Sequence, residues 1–318
     1  MRRGAPAGLR LDVGQAPPFA RATAGPRGLG FAAAGPPEGV SAAPGEPMRA
    51  VSGVPTAVAE LTVVAAGRLV LAVRPGVAQT HRVPGLEQIH DRRLPGLVEA
   101  VGSPLSNAGL LRDEEGWRAV VLPSLGDLVA GLGPGPVALR GDARRVAVAR
   151  DGAVEELELP GGAVVERHAC APDVLCYAGE RLLAASGAGV GPIGSAAAAE
   201  GPPVAGLVGA ASAGRAVARH EDGSLSLWDD AGTRLAAWPA LGDTSPSLGI
   251  SADGETVTVG TPHGDPAAAM CLRAEDGAVV RQILGARDLA LDPDGQQLAA
   301  GGDWGMAWLR HLDEREGT

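Results

Sequence analysis

One spacing constrains this chain more than any other feature. The stretch "LALDPDGQQLAAGGDWGMAWLRHL" (289–312) reads strand, turn at Gly295, strand, turn at Gly305, strand. The same grammar fills 247–284, with turns at Gly254 and near Gly264. It also fills "LVGAASAGRAVARHEDGSLSLWDDAGTRLAAW", with turns at Gly214 and Gly223. Carried toward the N-terminus, first turns fall at Gly28, Gly67, Asn107, Asp142, Gly179, Gly214, Gly254 and Gly295. Second turns fall at Gly39, Gly76, Gly116, Gly152, Gly189, Gly223, Gly264 and Gly305. Both series advance by roughly 34 to 41 residues per step, the period of a repeated supersecondary unit.

Four short strands in such a unit are the pattern of a β-propeller blade. A single sheet of Val, Leu and Ala cannot cover both of its faces, so blades bury them by stacking around an axis. Eight copies predict eight blades in one all-β domain over 1–318. The last copy lacks a fourth strand, and "GLRLDVG" (8–14) is a spare strand that would complete it and close the ring. The copy over 15–50 is the weakest. If it is a Pro-rich extension instead, seven blades remain.

Composition agrees. The chain carries 48 Gly and 26 Pro, and is 45% apolar but 3% aromatic, which disfavours long helices and suits short strands with tight turns. A net charge of −10 argues against broad electrostatic binding to nucleic acid. All 27 basic residues are arginine, so Schiff-base lysine chemistry and the P-loop lysine are both excluded. Cys170, Cys176 and Cys271 are too few and too scattered for a disulfide framework. The basic start lacks a continuous apolar h-region, and "LTVVAAGRLVLAV" is too short to span a bilayer. The expectation is a cytoplasmic protein.

The stretches "LALDPDGQQLAAGG" and "EDGSLSLWDDAG" resemble the blades of WD-repeat propellers. The likeness is good over 213–318 and survives upstream mainly as spacing. Only Trp228-Asp229 keeps the Trp-Asp pair; His81, Leu157, Arg273 and Arg310 align at that place elsewhere. The family's Gly-His pair in the outer connection is not evident. The resemblance implies a rigid platform for protein or peptide partners.

The catalytic and metal patterns are weak. "DPDG" (292–295) lacks the ligands of a calcium loop and reads as a turn. His168, Cys170 and Cys176 do not have strong zinc spacing. "GAGVGPIG" (187–194) mimics a dinucleotide fingerprint without the strand–helix context its mechanism needs. No catalytic set, metal site or cofactor is therefore expected. Candidate contact residues come from second turns and interblade connections, which share one face. They are Arg74, His90, Arg92, Arg93, Glu114, Glu115, His220, Asp303 and Trp304. Trp and Arg are the residue types enriched at binding hot spots. The expected function is a non-enzymatic protein-interaction platform with no nucleic-acid or membrane partner. The alternatives are an enzyme or small-ligand binder using the central channel, and a permanent subunit of a larger assembly.

Overall fold

The computed structural model describes residues 9–10, 48–54, 60–195, 201–240, 247–261, 268–284, 286–302 and 305–311. Every regular element among them is a β-strand. The strands form seven separate sheets arranged as the blades of a β-propeller, over residues 60–93, 99–129, 137–168, 174–192, 204–238, 248–284 and 288–311. We number these blades 1 to 7. Within these ranges neighbouring strands run antiparallel in chain order, and two strands from the N-terminal segment join blades 6 and 7; blade 4 has three strands among the described residues.

Seven hydrophobic clusters account for seven interfaces. Leu71, Leu111 and Leu125 join blades 1 and 2, and Leu110, Val146 and Leu157 join blades 2 and 3. The series continues through Val154 with Tyr177, Leu183 with Trp228, Val217 with Leu272, and Cys271 with Leu298. The seventh cluster packs Trp308 and Met306 of blade 7 against Leu61 and Val70 of blade 1. A cluster at that last junction means a closed ring.

Burial follows the same geometry. The second strand of blade 1, Leu69–Arg74, is buried along nearly its whole length, because both faces meet other blades. The outermost strand, Glu87–Arg93, is mostly exposed and carries the charges. Small residues allow close approach near the axis. A Cβ on Gly209 of blade 5 would stand 1.9 Å from the Tyr177 carbonyl oxygen of blade 4. At the first turns, backbone and hydroxyl groups link blade to blade: Ala66 N to Pro104 O at 2.8 Å, Ser103 Oγ to Gly141 O at 2.6 Å, Gly179 N to Ala210 O at 2.8 Å, and Ala252 N to Pro293 O at 3.1 Å.

Two expectations are corrected. The ring has seven blades, the alternative count, and not eight. The strand that completes blade 7 is Met48–Val54, antiparallel to Gly305–His311, and not the segment 8–14. Leu9–Arg10 instead lies parallel to Val279–Leu284 as a fifth strand of blade 6. Of the weakest copy, residues 48–50 belong to the closing strand; the rest lies outside the described residues, as does Gly264. All the remaining turn assignments from Gly67 onward fall in or at the edge of hairpin connections.

Blade 5, the copy with Trp228-Asp229, holds a buried polar chain. His220 Nδ1 lies 2.8 Å from the Pro202 carbonyl, so that nitrogen must carry the proton. Nε2 is then the acceptor for the Ser226 hydroxyl at 2.8 Å. Ser226 Oγ accepts in turn from Trp228 Nε1 at 2.7 Å. The histidine comes from the end of the second strand, not from an outer connection. In blade 1, His81 stands buried on the third strand, 3.1 Å from Leu86 O; burial first, and then Arg74, hold its pKa low.

Candidate functional site

The first strand of each blade is innermost, and together these strands wall a central channel of about 560 Å³. All seven inner strands start at the same end of the ring. Antiparallel alternation places the second turns at that end too. One face therefore combines the channel mouth, the connections into the inner strands, and the second turns.

Carboxylates gather at this mouth. Glu60, Glu99 and Asp288 begin the inner strands of blades 1, 2 and 7, and Asp173 immediately precedes that of blade 4. Two of them clasp neighbouring blades. Glu60 Oε2 accepts from Ala100 N of blade 2 at 2.7 Å. Asp288 Oδ2 accepts from Leu61 N of blade 1 at 2.6 Å, while Oδ1 takes the Ser247 hydroxyl of blade 6 and Leu289 N. Glu99 pairs with Arg112 at 3.1 Å, and that guanidinium stacks 5.6 Å from the Trp117 ring centroid.

The electrostatics follow from crowding acids in a narrow channel. Burial, and then the negative charge of Asp288, push Glu60 up to about 8. Burial pushes Asp288 up to about 6 against three hydrogen bonds that favour its ionised form. Burial raises Glu99, with Arg112 opposing. At neutral pH the mouth therefore holds a carboxylic acid beside a carboxylate. That pair can retain a proton, but its oxygens are largely engaged in joining blades.

None of Glu60, Glu99 and Asp288 stands among the candidate residues chosen from turns and interblade connections. The signal was present in "AELTVV", "VEAVG" and "RDLALD", where an acid stands at the same repeat position.

The structure draws several of the candidate contact residues into one sector, between blades 1 and 2. Gly76 N bonds Leu97 O and Leu94 N bonds Gly76 O, so the interblade connection lies against the second turn beside Arg74. Gly96 packs on Glu114, and Val98 N bonds Arg112 O. Arg93 and His90 are exposed on the outermost strand of blade 1, and Glu114 and Glu115 are exposed at the second turn of blade 2. Val98, 59% exposed, sits in this sector. Two candidates are placed otherwise. Arg92 is spent on structure, reaching Leu125 O at 2.7 Å and both oxygens of Asp127 at 2.6 and 3.0 Å. His220 is buried, with both ring nitrogens engaged. Asp303 and Trp304 lie outside the described residues.

Of the weak zinc set, Cys176 is buried, and burial pushes its thiol well above the ordinary range; Cys170 is partly buried. His168 faces two carboxylates instead. Its Nε2 is 3.3 Å from Glu156 Oε1 and 3.7 Å from Glu166 Oε1. Glu156 Oε2 accepts the Tyr177 hydroxyl of blade 4 at 2.7 Å and lies 3.4 Å from Arg145. Burial alone would raise Glu156, but hydrogen bonds from Tyr177, His168 and Arg145 hold it below its usual value.

The described residues include no helix long and apolar enough to cross a membrane. The fold and its channel define the class of protein as a seven-bladed β-propeller. Compared with known proteins, the chain matches no protein-family model and no curated protein sequence.

Proposed function

We propose that this protein is a non-enzymatic platform that binds a protein or peptide on the mouth face, at the sector between blades 1 and 2. The observation that supports it most is Val98, an apolar side chain held in the open on the connection that packs on Glu114, with Arg93 and Glu115 exposed on the flanking strand and turn. A small apolar centre with a charged rim is the anatomy of a protein contact. The likeness of "EDGSLSLWDDAG" to WD-repeat blades points the same way, since it implies a platform role. The channel carboxylates act mainly as interblade ties, which disfavours catalysis there.

The test is affinity purification of the full chain from its native cell beside the variant Arg93→Glu/Val98→Asp/Glu115→Arg. Arg92 is left intact because it ties blade 1 to blade 2. The expected result is a stoichiometric partner lost from the variant while its thermal melt is unchanged. A partner retained equally by both proteins contradicts this sector. A second reading, a small-ligand binder, draws support from the channel volume. A metabolite thermal-shift screen that stabilises wild type, with no partner recovered, would favour it.

A further inference from the structure

We infer that Glu156, Glu166 and His168 form a divalent-cation site on the outer half of blade 3. The three donor atoms, Glu156 Oε1, Glu166 Oε1 and His168 Nε2, lie within 4.8 Å of one another. Their placement follows from strand register. Glu156 and Glu166 are directly opposed on the third and fourth strands, and His168 follows Glu166 by two residues on the same face. Directly opposed like charges destabilise a sheet, so this pair needs a positive charge between its members.

Arg145, 3.4 Å from Glu156 Oε2, and the His168 contact answer that need in part. Charge-assisted N–H···O contacts are normally about 2.7–2.9 Å. The imidazole stands at 3.3 and 3.7 Å from the two carboxylates. The third pair of donor atoms, like these two, lies within 4.8 Å, near enough for the three to draw in around one ion. Zinc–nitrogen and zinc–oxygen bonds of about 2.0–2.2 Å place tetrahedral donors roughly 3.3 Å apart.

The surroundings divide the work of Glu156. Its Oε1 faces the imidazole, while Oε2 is fixed by the Tyr177 phenol and Arg145. A ligating carboxylate steadied through its other oxygen is the usual outer-shell arrangement. Glu166 is largely exposed, so the site opens to solvent, and water could complete the coordination. One imidazole and two carboxylates favour a borderline first-row ion, zinc first, over calcium, which prefers six or more oxygens. The ion would stiffen the outer strand pair of blade 3 and, through Glu156 and Tyr177, its junction with blade 4. Neither Cys170 nor Cys176 takes part.

The test is isothermal titration of the EDTA-stripped full chain with zinc chloride, with calcium chloride alongside. The expected result is one zinc per chain with micromolar or tighter affinity, and much weaker calcium binding. Glu166→Gln and His168→Asn should each weaken zinc binding by about tenfold or more. Cys170→Ser should leave it unchanged. Glu166 is exposed, so its variant keeps the fold, and thermal melts check each protein. Absence of zinc binding overturns the site, and so does affinity that survives the Glu166→Gln/His168→Asn double variant.

Discussion

Deleting residues 1–58 should abolish cooperative folding or lower the melting temperature by more than about 10 °C, because it removes the strand that closes the ring. Met48–Val54 pairs with Gly305–His311 across six residue pairs. Without it the third strand of blade 7 becomes an edge, and its unpaired backbone groups lose roughly 1 kcal/mol for each hydrogen bond. Trp308, Met306 and Leu309, all buried, lose the cover of that strand. A loss of several kcal/mol is a large part of the roughly 5–15 kcal/mol that holds a typical domain folded. Deleting only residues 1–44 keeps the closing strand and should cost far less, since among the described residues that segment adds two residue pairs, at Leu9 and Arg10, to blade 6. Thermal melts of both truncations check this. Equal losses from the two would contradict it.

The second large effect is on pH dependence. Glu60 has a folded pKa of about 8, above its ordinary value of 4.5. A carboxyl raised in this way contributes stability that is fully present below 4.5 and is lost as pH rises through 8. Asp288, raised to about 6, adds a loss of the same sign beginning lower, above its ordinary 3.8. Wild-type stability should therefore fall between about pH 4 and pH 8. Glu60→Gln keeps an oxygen for Ala100 N but cannot ionise. It should relieve on the order of 3 kcal/mol at pH 8.5, after allowing for water in the channel, and raise the melting temperature there by roughly 5–10 °C. At pH 5 the two proteins should melt within about 2 °C. Asp113, Asp127 and Glu156, each in ion pairs elsewhere, are common to both proteins and cancel in the comparison. Parallel profiles for wild type and variant would sink the account of the mouth.

Much of this fold is legible in the sequence because hairpins need residues that tolerate φ > 0. Gly67, Gly254 and Gly295 all have positive φ in first turns, and such residues recur at the blade period. The count of eight, with seven as its alternative, arises for the same reason. The Gly- and Pro-rich segment 15–50 supplies turn residues at that interval whether or not it forms a blade. The closing strand was misassigned because closure is a long-range choice between spare segments. "GLRLDVG" alternates like a strand, as does "MRAVSGV", and local pattern does not say which of them reaches blade 7. The candidate face was partly legible. Arg93, Glu114 and Glu115 are exposed as turn and edge chemistry suggests. His220 looked like a turn residue, yet it caps a buried chain through Ser226 to Trp228, a pairing between strands that spacing does not reveal. The Glu156–His168 contact was hidden for a similar reason: it is a diagonal contact between adjacent strands, 12 residues apart in the chain.

Closure of the ring by Met48–Val54 is the claim on which the rest depends, and one cross-link tests it. Gly53 and Ala307 are register partners. The variant Gly53→Cys/Ala307→Cys, with the three native cysteines replaced by serine or alanine, should form an intramolecular disulfide on mild oxidation. The looped chain would run faster on a denaturing gel than the reduced one, and it would unfold at higher temperature. The companion variant Gly14→Cys/Ala307→Cys should stay reduced under the same conditions. A bond in the companion and none in the first would place the 8–14 segment in blade 7 and contradict this ring.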